Sequence, residues 1–307
     1  MRVGLRSAGL VTDMCDMPFR DSSLFVSSSV LVGEDRVCLA SNRGAVGLLD
    51  LRDSLAVASE KMVRWETGTS VEMSAMGVSR EVSALNYVEE TEMLVTTAAH
   101  WVEQRNLETG VVTGLLSASS MTVNGKRIGW RNPRGKLQDT VMLDRNVFVV
   151  GGEENLLVCD FRCDMGRHVQ MELNKAHGTK ASPGKRAHSY CIRALATDQH
   201  RIFSGGGDGV VCLWDLAAKG CVLQKMEPGN FVVDVKVDMG NVFVSRLLGG
   251  GVEQYDKNDL AKRGQAFGRT EQSVLSFDVY CNSLVACYNT GSVELIKVEH
   301  KLASKSW

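Results

Sequence analysis

The sequence predicts an all-β protein, and three observations carry this prediction. Short β-rich runs separated by turns recur along most of the 307 residues. Few stretches have the period of a long amphipathic helix. The chain also contains 30 glycines but only 4 prolines, a composition that suits many tight hairpins better than proline-rich linkers. Apolar residues make up 44% of the chain, which is enough for a large core.

One unit recurs six times: a β-rich run, a turn containing Gly or Asn, and a second β-rich run. The clearest copy is RIFSGGGDGVVCLWDL, residues 201–216. The other copies occupy 36–51, 92–107, 146–161, 241–256 and 282–297. The six copies close at Asp50, Asn106, Asp160, Asp215, Asp256 and Lys297, which are 41 to 56 positions apart. Another short apolar strand precedes each copy, so each unit is a small sheet of three to four strands.

Repeated small sheets predict an arrangement in which each sheet covers the next. A single small sheet cannot bury both of its faces, whereas sheets stacked around an axis bury their faces and protect their edges. The sequence therefore predicts one β-propeller domain over residues 1–307, with blades of four antiparallel strands. Six blades can be counted, and a seventh stays possible.

Residues 201–216 resemble a WD40 repeat. Trp214 and Asp215 match the signature pair of that family, and Asp208 with Gly209 matches its tight turn. The resemblance extends over residues 25–298 and implies that the N-terminal residues complete the last blade. It also implies a structural hydrogen-bonded network of His188, Ser204, Asp208 and Trp214.

The other five copies match the family only as a pattern. In these copies the signature tryptophan is replaced by Leu49, Arg105, Cys159, Gln254 and Ile296. The structural histidine is absent or displaced in these copies. The resemblance is therefore specific for one unit and general for the rest.

A catalytic role for the same residues is less well supported by the sequence than a structural role. Ser204, His188 and Asp208 have the composition of a catalytic triad, but within this pattern a structural network is favoured. The glycines of residues 204–209 favour a hairpin turn over a phosphate loop, because neither Lys-Ser/Thr nor a helix follows them. We therefore expect no enzyme activity and no cofactor.

The nine cysteines and the absence of a long apolar stretch predict the cellular location of the protein. The cysteines are irregularly spaced, and several lie inside apolar runs, which is typical of reduced, buried thiols in an intracellular protein of the cytoplasm or nucleus. Cys159 and Cys163 lack a second metal-binding pair, so no metal is expected. No segment reaches the roughly 18 consecutive apolar residues of a membrane helix, so no membrane insertion is expected.

Three consecutive connections between the repeated units are about 14 residues longer than the later ones. Antiparallel strand parity predicts that their extra residues form loops on one face, where binding function is common. The second and third loops are basic and contain no acid within 110–136 and 173–188. Their candidate partner-binding residues are Lys126, Arg127, Trp130, Arg131, Arg134, Lys136, Lys175, Lys180, Lys185 and Arg186.

These observations lead to two hypotheses about function. The first is a non-catalytic scaffold that binds protein partners within a larger intracellular complex. The second is a propeller associated with RNA or ribonucleoprotein, in which the basic loops bind phosphate and Trp130 stacks on a base. An acidic protein segment would suit the same loops, and simple solvation of the loops is a further alternative. The net charge of −1 excludes a globally basic nucleic-acid binder.

Overall fold

The computed structural model describes most of the predicted strands and part of the connections. The described residues are 2–7, 10–16, 26–33, 36–41, 44–50, 63–66, 82–98, 100–117, 122–123, 126–127, 137–152, 156–163, 169–173, 192–198, 200–217, 220–226, 230–238, 240–248, 251–263, 267–268, 271–280, 283–288 and 293–297. Within these ranges the secondary structure is β, apart from one 3₁₀ turn at Glu89–Thr91. They include no helix with the length and apolar character needed to span a membrane.

An antiparallel hairpin and two four-stranded sheets make up the first part of the fold. The hairpin pairs β1 (Arg2–Ser7) with β2 (Leu10–Asp16). Sheet I contains β3 (Val26–Val32), β4 (Arg36–Ser41), β5 (Ala45–Asp50) and β6 (Val63–Glu66). Sheet II contains β7 (Val82–Val88), β8 (Met93–Ala98), β9 (Trp101–Asn106) and β10 (Val112–Ser117).

A short hairpin separates sheet II from two further four-stranded sheets. This hairpin pairs β11 (Thr122–Val123) with β12 (Lys126–Arg127). Sheet III contains β13 (Asp139–Met142), β14 (Val147–Gly151), β15 (Leu156–Asp160) and β16 (Val169–Leu173). Sheet IV contains β17 (Ile192–Thr197), β18 (Arg201–Gly206), β19 (Val210–Asp215) and β20 (Gly220–Met226).

The last two sheets have three strands each among the described residues. Sheet V contains β21 (Val232–Asp238), β22 (Asn241–Arg246) and β23 (Val252–Asp256). Sheet VI contains β24 (Val274–Tyr280), β25 (Ser283–Tyr288) and β26 (Val293–Lys297). Two isolated bridges, Val252 to Phe267 and Tyr255 to Lys262, place a further segment along the free edge of β23. β1 contacts β26.

The strand bounds confirm the six-fold repeat predicted from the sequence. All six predicted closing residues, from Asp50 to Lys297, are the last residues of the third strands. All neighbouring strands within sheets I to VI are antiparallel and follow sequence order. The prediction of an all-β protein is therefore confirmed, and in the part of the chain that the structure describes four strands per sheet are found in sheets I to IV.

Each sheet contacts the sheet that follows it in the sequence, and sheet VI contacts sheet I. The first strand of each sheet contacts the first strand of the following one, in the order β3, β7, β13, β17, β21 and β24. β24 in turn contacts β3. Each sheet therefore has a sheet neighbour on either side of its first strand.

The hydrophobic core is divided into layers between consecutive sheets. One cluster joins Val141 and Val149 of sheet III to Ile192 and Trp214 of sheet IV, and four others join sheets I–II, II–III, IV–V and V–VI. The layers are tight at Gly205 in β18, where an added Cβ would lie 2.2 Å from Val232 Cγ1. A glycine is needed there because the neighbouring sheet approaches the backbone closely.

As predicted, most of the extra residues of the long connections lie between the fourth strand of one sheet and the first strand of the following sheet. The segments between fourth and first strands are 67–81, 118–138 and 174–191 after sheets I, II and III, but only 227–231 after sheet IV. The first connection also has residues 51–62 between β5 and β6, so its additional length is divided between two places.

Candidate functional site: a polar central cavity and its apolar rim

Trp214 anchors the layer between sheets III and IV. Its side chain is fully buried, and its Nε1 donates a hydrogen bond of 2.9 Å to Ser204 Oγ on the neighbouring strand β18. Asp208 lies in the β18–β19 turn, where its Oδ1 accepts a hydrogen bond from Val210 N. Gly209 has a φ of 78° in that turn, so the hairpin interpretation of residues 204–209 is confirmed. His188 lies outside the described residues, so the complete four-residue network stays a prediction.

One predicted residue at the tryptophan position was wrong. Asp256 pairs with Asn241 as Asp215 pairs with Arg201, so Tyr255, and not Gln254, is equivalent to Trp214. Asn241 and Asp256 are 15 positions apart, one more than Arg201 and Asp215, and Tyr255 directly precedes Asp256 as Trp214 precedes Asp215. Tyr255 is buried in the layer between sheets IV and V.

In two of the sheets that lack the tryptophan, a glutamate side chain accepts a hydrogen bond from the residue at the position equivalent to Trp214. In sheet II, Arg105 Nε and Nη2 both donate to Glu103 Oε1, at 2.9 and 2.7 Å, and both side chains are buried. In sheet V, Tyr255 Oη donates to Glu253 Oε2 at 2.8 Å. Burial alone would raise the pKa of Glu253, but hydrogen bonds from Lys262, Arg246 and Tyr255 hold that pKa below its usual value. A buried polar pair thus replaces the indole–hydroxyl bond.

A cavity of about 40 Å³ lies where the six first strands meet. Every first strand lines it, through Ser28, Leu85, Asp139, Arg193, Asp234 and Ser276 among others. The volume suffices for one or two water molecules, since a water needs roughly 10–15 Å³ of such space. The lining is largely polar and charged, so we consider this cavity a candidate site.

Three side chains at equivalent strand positions link the sheets in pairs across the cavity wall. Ser28 Oγ accepts a hydrogen bond from Leu85 N at 3.1 Å, and Asp139 Oδ2 accepts one from Leu195 N at 2.6 Å. Asp234 Oδ2 accepts one from Phe277 N at 3.1 Å. Sheets I, III and V therefore supply the acceptor, and sheets II, IV and VI supply the backbone donor. These bonds satisfy buried N–H groups on the inner edge of the first strands.

Charged groups of the cavity determine each other's protonation. Lys236 Nζ lies 3.6 Å from Asp234 Oδ1. Burial alone would lower the pKa of Lys236, but Asp234, Asp278 and Asp139 together raise it. Burial raises the pKa of Asp278, and it raises the pKa of Asp139 to about 7. Three carboxylates therefore face one ammonium group in a region of low dielectric.

The pKa of Asp139 predicts that the protein loses stability as the pH rises. The native carboxyl binds its proton up to a pH of about 7, whereas the unfolded one releases it near pH 4, so proton binding favours the native state in between. Raising the pH from 5.5 to 8 should lower the free energy of unfolding of the wild type by about 2 kcal/mol relative to Asp139→Asn. Urea denaturation of both proteins at the two pH values measures this difference. Parallel pH profiles would contradict it.

The basic residues predicted as a partner-binding region lie mostly beyond the described part of the chain. Lys126 and Arg127 form β12, and the β11–β12 hairpin contacts sheet III, since β11 lies against β16. The other eight, Trp130, Arg131, Arg134, Lys136, Lys175, Lys180, Lys185 and Arg186, fall outside it. One continuous basic surface therefore stays a prediction.

The two cysteines considered for metal binding have different surroundings. Cys159 is fully buried in the layer between sheets II and III, and burial raises the pKa of its thiol. Cys163 is partly exposed, and Gln170 Nε2 donates a hydrogen bond to its sulfur at 3.1 Å. Only Cys159 therefore has the environment of a buried small hydrophobic residue.

An exposed apolar group lies beside the cavity and was not identified from the sequence. This apolar rim consists of Phe231, Leu248 and Leu275, which are 42, 75 and 40% exposed. Leu247 N donates to Phe231 O, and Ser273 Oγ donates to Leu247 O, so the three residues belong to one region of sheets V and VI. Leu275 also lines the cavity, as does the exposed Arg193. The sequence signal for this apolar rim was limited to apolar residues next to the starts of predicted strands.

The comparisons with known proteins add a likeness of fold. The chain consists of successive small antiparallel sheets, and 1588 solved chains match it. Among them is the crystal structure of Chaetomium thermophilum Raptor, with a TM-score of 0.64 and 12% sequence identity. The match covers 92% of this chain but only 24% of the Raptor chain. No family model and no curated protein matches the sequence.

Proposed function

We propose that this chain is a six-bladed β-propeller of the WD40 type that binds protein partners without catalysing a reaction. The return of first-strand contacts from β24 to β3 supports six blades, and the Trp214–Ser204 bond supports the WD40 type. The contact between β1 and β26 supports completion of the last blade by the N-terminal residues. The proposal includes an intracellular location and membership in a larger complex.

The apolar rim is the observation that carries the binding function. Large apolar side chains that are exposed together mark protein interaction sites more often than scattered ones do. Leu275 of this rim lines the polar cavity, and so does Arg193 on β17, the first strand of the neighbouring sheet IV. A partner segment with apolar side chains and a nearby carboxylate would bury the rim and pair with Arg193.

The bonding of the cavity carboxylates supports a non-catalytic role. Asp139 accepts backbone hydrogen bonds at both of its oxygens, from Thr140 N and Leu195 N. Asp234 likewise accepts from Val235 N and Phe277 N. Carboxylates engaged in this way hold the sheets together, and a reaction that required them would have to break those bonds.

Substitutions in the apolar rim should weaken partner binding without unfolding the protein. The double variant Phe231→Asp/Leu248→Asp introduces charge where the partner would bury apolar surface, and we expect recovery of partners to fall by on the order of tenfold or more. The stability should change by only about 0.5 kcal/mol per site, because both positions are exposed. Affinity capture with quantitative mass spectrometry, followed by binding to the purified partner, measures the loss.

Ala217→Asp is the control, because Ala217 is apolar and exposed but follows the third strand of sheet IV, outside the rim. It should retain the partners that the rim variant loses. Equal recovery by the wild type and the rim variant, with unchanged melting temperatures, would contradict the proposed site.

A further inference from the structure

The outermost strand of sheet II has a composition unlike the other outer strands. β10, with the preceding Val111, reads VVTGLLS and contains no charged residue. The other outer strands carry at least one charge each: Arg64 and Glu66 in β6, Glu172 in β16, and Lys225 in β20. Edge strands are normally protected by such charges, which hinder pairing with other chains. β10 lacks this protection.

The side chains of β10 leave its outer side open. Val111, Val112 and Leu115 are 57, 41 and 38% exposed, and together with the rim residues they are all the large hydrophobics exposed in the described part of the chain. Among the described strands β10 pairs with β9, with a β-bulge between Val112 and Gly114, and it ends the sheet order. The inner side is closed, because Leu116 is buried and a Cβ at Gly114 would lie 2.8 Å from Phe161 Cδ1. One side of β10 thus packs against the protein, and Val111, Val112 and Leu115 give the strand an exposed apolar surface.

We propose that the free edge of β10 binds an extended, uncharged segment of a partner protein, which adds a fifth strand to sheet II. Backbone hydrogen bonds would supply affinity, and apolar side chains at alternate positions would contact Val112 and Leu115. A charged segment would be disfavoured because the strand offers no ion-pair partner. This interface is separate from the apolar rim, which lies on sheets V and VI.

The length of the edge favours a partner segment over a second copy of this chain. β10 has six residues, and one pair of six-residue strands buries far less than the roughly 1,200 Å² of a stable interface between globular proteins. Two rigid molecules meeting along this edge would add little further contact. A flexible segment can instead follow the strand along its whole length and contact the side chains on its exposed side.

A generic strand-forming peptide tests the proposal directly. The probe is a fluorescent heptapeptide of alternating threonine and valine with blocked termini, titrated into the full chain and followed by fluorescence polarisation. Hydrogen exchange of the β10 amides is measured in parallel. We expect saturable binding and slower exchange in β10. A peptide N-methylated at every residue should fail to bind, because neither of its edges can then donate the backbone hydrogen bonds of a ladder.

Charged variants of the edge distinguish pairing from general adhesion. Leu115→Lys and, independently, Val112→Lys should each weaken peptide binding by on the order of tenfold, whereas Leu248→Lys in the apolar rim should leave it unchanged. Melting curves identify any variant that fails to fold. Equal binding by the wild type and both edge variants, or absence of binding to the wild type, would refute the proposal. A wild-type dimer in sedimentation that Leu115→Lys dissolves would show a second copy to be the occupant and would refute it as well.

Discussion

Replacing Lys236 by methionine should lower the free energy of unfolding by about 3 kcal/mol, the lower end of the cost of removing one partner of a buried ion pair, because the lysine side chain is 28% exposed. Lys236 faces Asp139, Asp234 and Asp278 across the central cavity. Methionine retains most of the volume of the side chain but leaves three carboxylates without the ammonium group. Their mutual repulsion and desolvation then act against the bonds that join sheets III to IV and V to VI.

Urea denaturation at pH 8 is the suitable measurement, because the carboxylates are then most fully ionised. Arg193→Met serves as the control. It removes a positive charge from the wall of the same cavity, but the side chain is exposed, and its loss should cost about 0.5 kcal/mol or less. Adding Asp234→Asn to Lys236→Met should restore part of the lost stability. Equal effects of Lys236→Met and Arg193→Met would show that the carboxylates do not depend on Lys236.

Trp214→Ala should cost a similar amount, about 3–5 kcal/mol, through a different mechanism. The indole is fully buried between sheets III and IV and packs against the cluster that contains Val149 and Ile192. Its removal leaves a large cavity and takes the Nε1 donor away from Ser204 Oγ. Thermal and urea unfolding of the purified variant measure the loss.

Two conservative variants separate the contributions of volume and hydrogen bonding. Trp214→Phe retains part of the ring but has no N–H, and Ser204→Ala removes only the acceptor; the serine change should cost about 1–2 kcal/mol. A Trp214→Ala protein that melts within 1–2 °C of the wild type would contradict the role of this residue as the anchor of the layer, since about 1 kcal/mol corresponds to a shift of roughly 2–4 °C in a chain of this size.

The repeat could be predicted from the sequence because the strands and the turn of each unit lie close together along the chain. Strand, turn and strand lie within about 15 residues, and alternation of apolar side chains together with the closing Asp marks each hairpin. The six third strands accordingly end at the predicted residues. Gln254 was the wrong choice for the tryptophan position of sheet V, because the residue that directly precedes the closing Asp256 there is Tyr255.

The cavity was not predictable because its members are distant in sequence. Asp139 and Lys236 were both contained in predicted first strands, but only the assembled sheets bring them together. An available signal was a polar residue at the same position in first strands of sheets I, III and V, namely Ser28, Asp139 and Asp234. The apolar rim likewise combines two turns and a strand end that no local pattern connects.

The glutamate pairs of sheets II and V have a consequence for evolutionary descent. A sheet that exchanges a tryptophan–serine bond for Arg105–Glu103 or Tyr255–Glu253 keeps its backbone geometry and loses the residue by which its ancestry is recognised. Several such exchanges in one chain remove the shared sequence pattern while the fold persists. The likeness of fold to the Raptor crystal structure covers 92% of this chain at only 12% identity, so a similar fold occurs here with little shared sequence. Relatives of this protein would therefore be found by searching for interchangeable bonding pairs at one strand position, and not for tryptophan alone.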